Sequence, residues 1–255
     1  MPLTIFWREH MADFRYGTEV QSRAGARTEI DQGLRSYMLG VYNYMALGVA
    51  VTGIISMALA LNPALMATIA LGPMKWVLFF AVLGLGLFAP RLILSGNTAL
   101  AHAAYWGYAT LWGLLIAPLI AFYMHVDGGA LITRAFLITA ATFGATSLVG
   151  YVTKRDLSGF GGFFMMASIG LVIAIVINAI FFQSVGASLV TSILVVLLFS
   201  GITAYETQMI KEMYFEGDAP GIATGKSIFG AFALYGSFIT LFVHILNILG
   251  IMSRD

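Results

Sequence analysis

Ala187-Ser188-Leu189-Val190-Thr191-Ser192-Ile193-Leu194-Val195-Val196-Leu197-Leu198-Phe199-Ser200-Gly201-Ile202-Thr203-Ala204 carries no charge, and it runs straight into Tyr205-Glu206-Thr207-Gln208. An apolar run of this kind approaches the roughly 20 residues that cross a bilayer as a helix. Glu206 at its end is costly, since translocon scales put an acid at a helix centre at about 2.5–3.5 kcal/mol. A chain carries such a group where it faces a protein interior or a wet cavity and has work to do there. On a helix Glu206 shares a face with Phe199, Ile202 and Ile210, so its neighbours along the chain are apolar. Burial disfavours a carboxylate and a nearby cation favours it, so its charge depends on what faces it. The plainer reading sets Glu206 at headgroup level, five residues before Lys211, reaching out to water.

The rest of the chain agrees with a membrane setting. Of its 255 residues 60% are hydrophobic and 10% charged, against about 25% charged in soluble domains, so it lacks the polar surface water would require. The net charge of +1 implies no nucleic-acid partner. With no cysteine there is no disulfide, thiolate metal site or cysteine nucleophile. The first residues do not read as a signal peptide, because Glu9, Asp13 and Glu19 interrupt them.

Seven runs are long enough to span: Tyr37–Leu61, Met74–Pro90, Thr98–Met124, Ala130–Val152, Phe160–Phe182, Ala187–Ile210 and Ser227–Gly250. Breakers separate them, among them Asn62-Pro63, Gly96-Asn97 and Asp127-Gly128-Gly129. The expected fold is all-α and polytopic: a polar tail over residues 1–36, a seven-helix domain over 37–250 and a short C-terminal tail over 251–255. Pro118 inside the third span is expected to kink it.

Lys and Arg set the orientation. Arg8, Arg15, Arg23, Arg27, Arg35, Arg91, Lys154, Arg155, Lys211 and Lys226 fall on one side, against Lys75, Arg134 and Arg254 on the other. That bias predicts a cytoplasmic N-terminus and a periplasmic C-terminus in a bacterial inner membrane. The tail mixes both charges with Phe6, Trp7, Phe14 and Tyr16. It reads as an interfacial segment near anionic headgroups or, more sharply, as a partner-binding arm. Thr28 followed by Asp31 is a loose capping signal before the first long helix. Ala140/Gly144, Ala141/Ala145 and Gly48/Thr52 have the spacing at which small residues let helices approach in lipid, and are expected to pack.

Signals for chemistry are sparse. His10, His102, His125 and His244 form no i, i+4 pair, and no cluster of His, Asp and Glu has metal-ligand spacing. Asn43, Asn178 and Asn247 are expected to bond across helices. There is no Gly-x-Ser-x-Gly, His-Glu-x-x-His or Walker loop, and an intramembrane aspartyl protease needs two acids where the spans offer one. Enzymatic activity and cofactors are not expected.

Three stretches in order resemble the Bax inhibitor-1 (TMBIM) family, in its bacterial branch. The first runs from Phe143-Gly144-Ala145 through Gly150-Tyr151-Val152-Thr153-Lys154-Arg155-Asp156-Leu157-Ser158 to Gly161. The second is Ala204-Tyr205-Glu206-Thr207-Gln208, and the third Ala233-Leu234-Tyr235-Gly236-Ser237-Phe238-Ile239-Thr240-Leu241-Phe242. The resemblance implies six helices around a central seventh. Better-studied members resemble pH-sensitive calcium leaks, in which two aspartates on the sixth and seventh helices share a proton and hold the pore closed, with an arginine on the second helix nearby. Carried over, the sixth-helix acid falls on Glu206, the seventh-helix acid on Ser237 and the arginine on Arg91. Tyr205, Tyr235, Thr240 and His244 are the supporting polar residues, and Glu206 is a candidate weak calcium contact.

Serine at 237 changes the physics. Two touching carboxyls cannot both ionise and titrate as a pair, whereas a Glu–Ser pair has no like-charge term. The resemblance then implies two readings. One expects a calcium leak or its remnant, with altered pH gating and calcium as the permeant ion. The other, which some bacterial relatives resemble, expects a non-conducting regulator that binds another membrane protein, such as an ATP-dependent membrane protease, through its tail.

Overall fold

Lipid offers the backbone no hydrogen-bond partner, so an apolar span must satisfy its own N–H and C=O groups by folding as a helix. The structure, a computed structural model, describes residues 4–253, with side chains described from Gln32 onward except at positions 63, 67, 70 and 71. Its helices are α1 (Thr4–Ala60), α2 (Pro63–Leu71), α3 (Met74–Ile93), α4 (Thr98–Asp127), α5 (Ala130–Val152), α6 (Gly161–Ile177), α7 (Val185–Glu212) and α8 (Pro220–Met252). Among the described residues there is no strand, and seven helical segments are long and apolar enough to cross a membrane. Thr28 and Asp31 fall inside α1, whose backbone is helical from Thr4, so no helix starts at them; the side chains of His10 and the charged tail, and Arg254, lie outside the described residues.

Six of the seven spans are longer than their hydrophobic runs, Ala130–Val152 being unchanged. The first begins at Gln32, the second continues through Pro90 to Ile93, and the last covers Pro220–Met252. Hydropathy marks where lipid lies, whereas a helix continues until a cap or a turn ends it. The caps are visible. Asn97 Oδ1 accepts Leu100 N–H at 3.1 Å, and Ser184 Oγ accepts Ala187 N–H at 3.3 Å. Between α4 and α5 the turn needs two left-handed residues, Gly128 (φ 68°) and Gly129 (φ 89°), and Asp127 accepts the N–H groups of Gly129 and Leu131. The loop after the first span holds α2, nine residues started by Pro63 and capped by Asn62, which the Asn62-Pro63 breaker concealed. α4 is continuous through Pro118.

α8 is the central helix. In its most apolar window 61% of residues are buried, against at most 33% in any other span. It packs on α7, α1, α5, α4 and α3, while α6 packs chiefly on α7 and has no buried residue in its window. Outward faces are lined by large apolar side chains, such as Phe80, Leu87 and Phe88 on α3 and Met166 and Ile169 on α6. A contiguous apolar surface of that extent is a lipid-facing one.

One end of the bundle gathers Arg35, Arg91, Lys154, Lys211 and Lys226, from the start of the first span, the ends of α3, α5 and α7, and the start of α8. Lys211 Nζ donates to Tyr151 O at 3.0 Å there, and Lys226 pairs with Asp218 at 2.6 Å. Lys75 and Arg134 begin α3 and α5 at the other end.

The small-residue pairs divide. Gly48 and Thr52 are buried, and a methyl at Gly48 would lie 2.9 Å from Tyr105 Cζ. Ala140, Ala141, Gly144 and Ala145 are exposed, so the packing expected of them does not occur. Spacing identifies one face of a helix, and nothing in it says whether that face meets protein or lipid. The close approach of α5 is at Gly150 instead, where a methyl would come within 2.8 Å of the Ala204 Cα on α7.

Candidate functional site

Residues 206 and 237 meet because α7 and α8 run side by side in opposite directions. Ile210 lies against Gly230, Glu206 against Ser237, and Ser192 against His244. Ser237 Oγ donates to Glu206 Oε2 at 2.7 Å. Ser237 is at the middle of α8, about 25 Å from its first residue at 1.5 Å per residue. Glu206 is therefore level with the middle of α8, the longest span.

A cavity of about 420 Å³ opens beside the pair. Tyr108 and Trp112 of α4, Tyr205 and Glu206 of α7, and Ser237 and Thr240 of α8 line it, with Pro90 of α3 at its edge. Glu206 is half-buried rather than sealed, as expected of a group lining a cavity. Trp112 was not singled out in the sequence, and its buried Nε1 is paired at best loosely, with the neighbouring Tyr108 hydroxyl. A tryptophan in mid-span is a weak signal, since most serve as packing. A second cavity of about 250 Å³, lined by Thr52, Phe136 and Phe238 among others, holds no ionisable side chain.

The supporting residues are used differently from one another. Thr240 lines the cavity and bonds back to Gly236 O at 2.8 Å. Tyr205 lines it too, with its ring 5.7 Å from that of Phe164 on α6. The Tyr235 hydroxyl is engaged 2.6 Å from Thr52 Oγ1 on α1, which in turn donates to Ala109 O. His244 Nδ1 lies 3.0 Å from Ser192 Oγ, and Asn247 donates to Ser188 and Ser192, so a short polar ladder crosses between α7 and α8 beyond the cavity.

Arg91 is not part of the site. It is exposed in the last turn of α3, and among the described residues it has no ion pair. Pro90, one position earlier, faces the cavity, and successive helical residues point about 100° apart. Asn178 also departs from expectation. It bonds to the backbone of Ser184 and closes the π-helical turn Asn178–Phe182, so it spans no helix pair. Asn43 is exposed, His102 stacks on Tyr44 with its Nδ1 unpartnered, and His125 bonds to Ala121 O.

Gln208 escaped notice because a glutamine inside a motif looks like any other polar residue. It ties two of the three motif stretches together: Oε1 accepts Leu157 N–H at 2.7 Å and Nε2 donates to Arg155 O at 2.9 Å. Within that loop Asp156 accepts Ser158 N–H at 2.8 Å, and bonds from the Ser158 side chain and backbone hold its carboxyl below the usual aspartate range. Its charge therefore persists through ordinary pH. No group of three or more His, Asp and Glu residues that could hold a metal occurs among the described residues.

Seven apolar spans, the last of them buried among the others, with one acid opposite a serine in mid-bundle, define a polytopic α-helical membrane protein whose last two spans carry its polar centre. The model of the family described as Inhibitor of apoptosis-promoting Bax1 matches residues 34–254. The chain belongs to the Bax inhibitor-1 family. A protein of Rickettsia prowazekii is 37% identical over 242 residues, covering 91% of this chain and 97% of its own. One from Caulobacter vibrioides is 37% identical over 236 residues, covering 88% and 92%. The Escherichia coli inner membrane protein YbhL is 34% identical over 221 residues, covering 86% and 92%.

Proposed function

We propose that the chain is a cation leak of the inner membrane, calcium being the favoured ion, or the remnant of one, with Glu206 as the ion-attracting acid. The observation that supports this is the Glu206 carboxylate at mid-bundle, in contact with Ser237 and lining a cavity. A carboxylate in such a place attracts cations strongly, because a low dielectric weakens screening. The positive-inside bias supports a cytoplasmic basic end and N-terminus. The test is calcium entry into liposomes holding a trapped dye. Flux should exceed that of empty vesicles across about pH 6–8, where carboxyls in dry sites change charge, and its absence sinks the proposal.

Gating should differ from a two-acid latch. Ser237 offers Glu206 a hydroxyl, so no proton is shared between like groups. Ser237→Asp puts a second carboxyl at the same spot, and the two should then titrate as a unit. The expected result is flux that switches with pH in the variant more steeply than in the native protein. Equal pH profiles would show that position 237 does not control the pathway.

The second reading, a regulator of another membrane protein such as an ATP-dependent protease, draws on the charged tail over residues 1–36 and the serine at 237 in place of a second acid. In that case removal of residues 1–30 should change the set of co-purifying membrane proteins, and an unchanged set counts against it.

A further inference from the structure

A groove of about 460 Å³ runs between α1 and α5 at the basic end of the bundle. α1 and α5 do not pack closely along their lengths, and they are bridged at Tyr42 OH and Ser147 Oγ, 2.6 Å apart. The walls are apolar: Met38 and Leu39 from α1, Phe143 and Leu148 from α5. Leu39 and Leu148 are more than half exposed, so the groove lies open to the lipid side. Gly144 lies on the α5 side, and a methyl added there would meet nothing within 4 Å.

The chemistry at its mouth is one-sided. Arg35 lines the groove, is exposed, and has no ion pair among the described residues. Tyr151 lines the same end, and Lys211 sits 5.3 Å from its ring centre while donating to its carbonyl. Among the described residues no acid lines the groove. The α1 face that begins with Arg35, Met38, Leu39 and Tyr42 continues at helical spacing to Val49 and Thr52, which line the apolar cavity further along. A cation at headgroup level above an apolar slot fits one kind of occupant in a bilayer, a phospholipid with an anionic headgroup.

We infer that the α1–α5 groove is a binding site for an anionic phospholipid, its phosphate on Arg35 and an acyl chain against Met38, Leu39, Gly144 and Leu148. The groove floor reaches the polar centre. Ser147 Oγ lies 2.9 Å from Thr207 Oγ1, and Thr207 follows Glu206 on α7. A bound lipid thus touches Ser147, which is hydrogen-bonded to the helix that carries the acid.

Native mass spectrometry of the full chain, stripped of lipid in detergent and supplied with phosphatidylglycerol or phosphatidylcholine, tests the site. The native protein should retain phosphatidylglycerol about fivefold better, the advantage one basic residue gives near a membrane surface. R35Q should bring the two lipids to parity. Gly144→Leu extends into the slot from a position where its Cβ meets nothing within 4 Å, and should lower retention of both while leaving thermal unfolding unchanged. Equal retention of both lipids by the native protein overturns the site, as does R35Q with its preference intact. A Gly144→Leu variant that converts a dimer to a monomer assigns the groove to a second copy and overturns it too. If Gly144→Leu does not fold, the Arg35 comparison alone decides.

Discussion

Replacing Glu206 by glutamine should cut calcium flux in liposomes by about tenfold or more while leaving the fold intact. Glutamine keeps the length and planarity of the side chain, and its amide oxygen still accepts the hydrogen from Ser237 Oγ, now 2.7 Å from the carboxylate. The contact between α7 and α8 and the cavity are preserved, and only the charge is lost. Two unit charges about 4 Å apart attract by about 4 kcal/mol at an effective dielectric of 20, and a divalent ion is held more strongly. Loss of even a third of that is about a tenfold change. Flux equal to the native rate would remove Glu206 from the pathway. Flux above it would make Glu206 the group that closes the pathway rather than the one that draws ions in.

The second large effect concerns assembly. Gly150→Val should destabilise the bundle by about 2–3 kcal/mol, the cost of forcing atoms into a packed interface. The first added carbon already meets backbone: the Ala204 carbonyl oxygen lies in its path, and the Ala204 Cα and carbonyl carbon are 2.8 Å away. Backbone cannot swing aside as a side chain can, so α5 and α7 must separate. Thermal unfolding in detergent should fall by about 5–10 °C. Gly144→Ala, six residues earlier on the same helix, is the control. Its methyl enters open space, and removal of a mid-helix glycine should leave stability equal or raised by about 0.5–1 kcal/mol. A drop of equal size in both variants would mean that the α5–α7 contact is not what holds Gly150.

These two glycines show what the sequence can and cannot disclose. The membrane class and the seven spans were legible because lipid imposes a length and a composition on each span separately. The alternation of basic ends was legible for the same reason. The importance of Glu206 followed from the cost of an acid in an apolar run, and the partnership with Ser237 came only through the family resemblance, which pairs those two positions. Which side of a helix meets protein was not legible, because in lipid both sides are apolar. Ala140/Gly144 therefore looked like a packing pair and faces outward, while Gly150 makes the contact. Arg91 failed for a related reason: one residue along a helix turns a side chain by about 100°, and its neighbour Pro90 occupies the place at the cavity. Gln208 and Trp112 could not be found without coordinates, since their significance lies in partners, or a cavity, brought near only by the fold.

α6 has a bearing on how the protein is made. A span with no buried residue in its window, resting chiefly on α7, adds little to what holds the other six together. In lipid, spans form first as separate helices and associate afterwards. The six helices around and including α8 can therefore associate while α6 is still apart, and α6 docks last, through Phe164 beside Tyr205 and Gly201. Its amides should also be the first to lose protection when the assembled bundle opens locally. The order in which the spans leave the ribosome is then not the order in which they find their places.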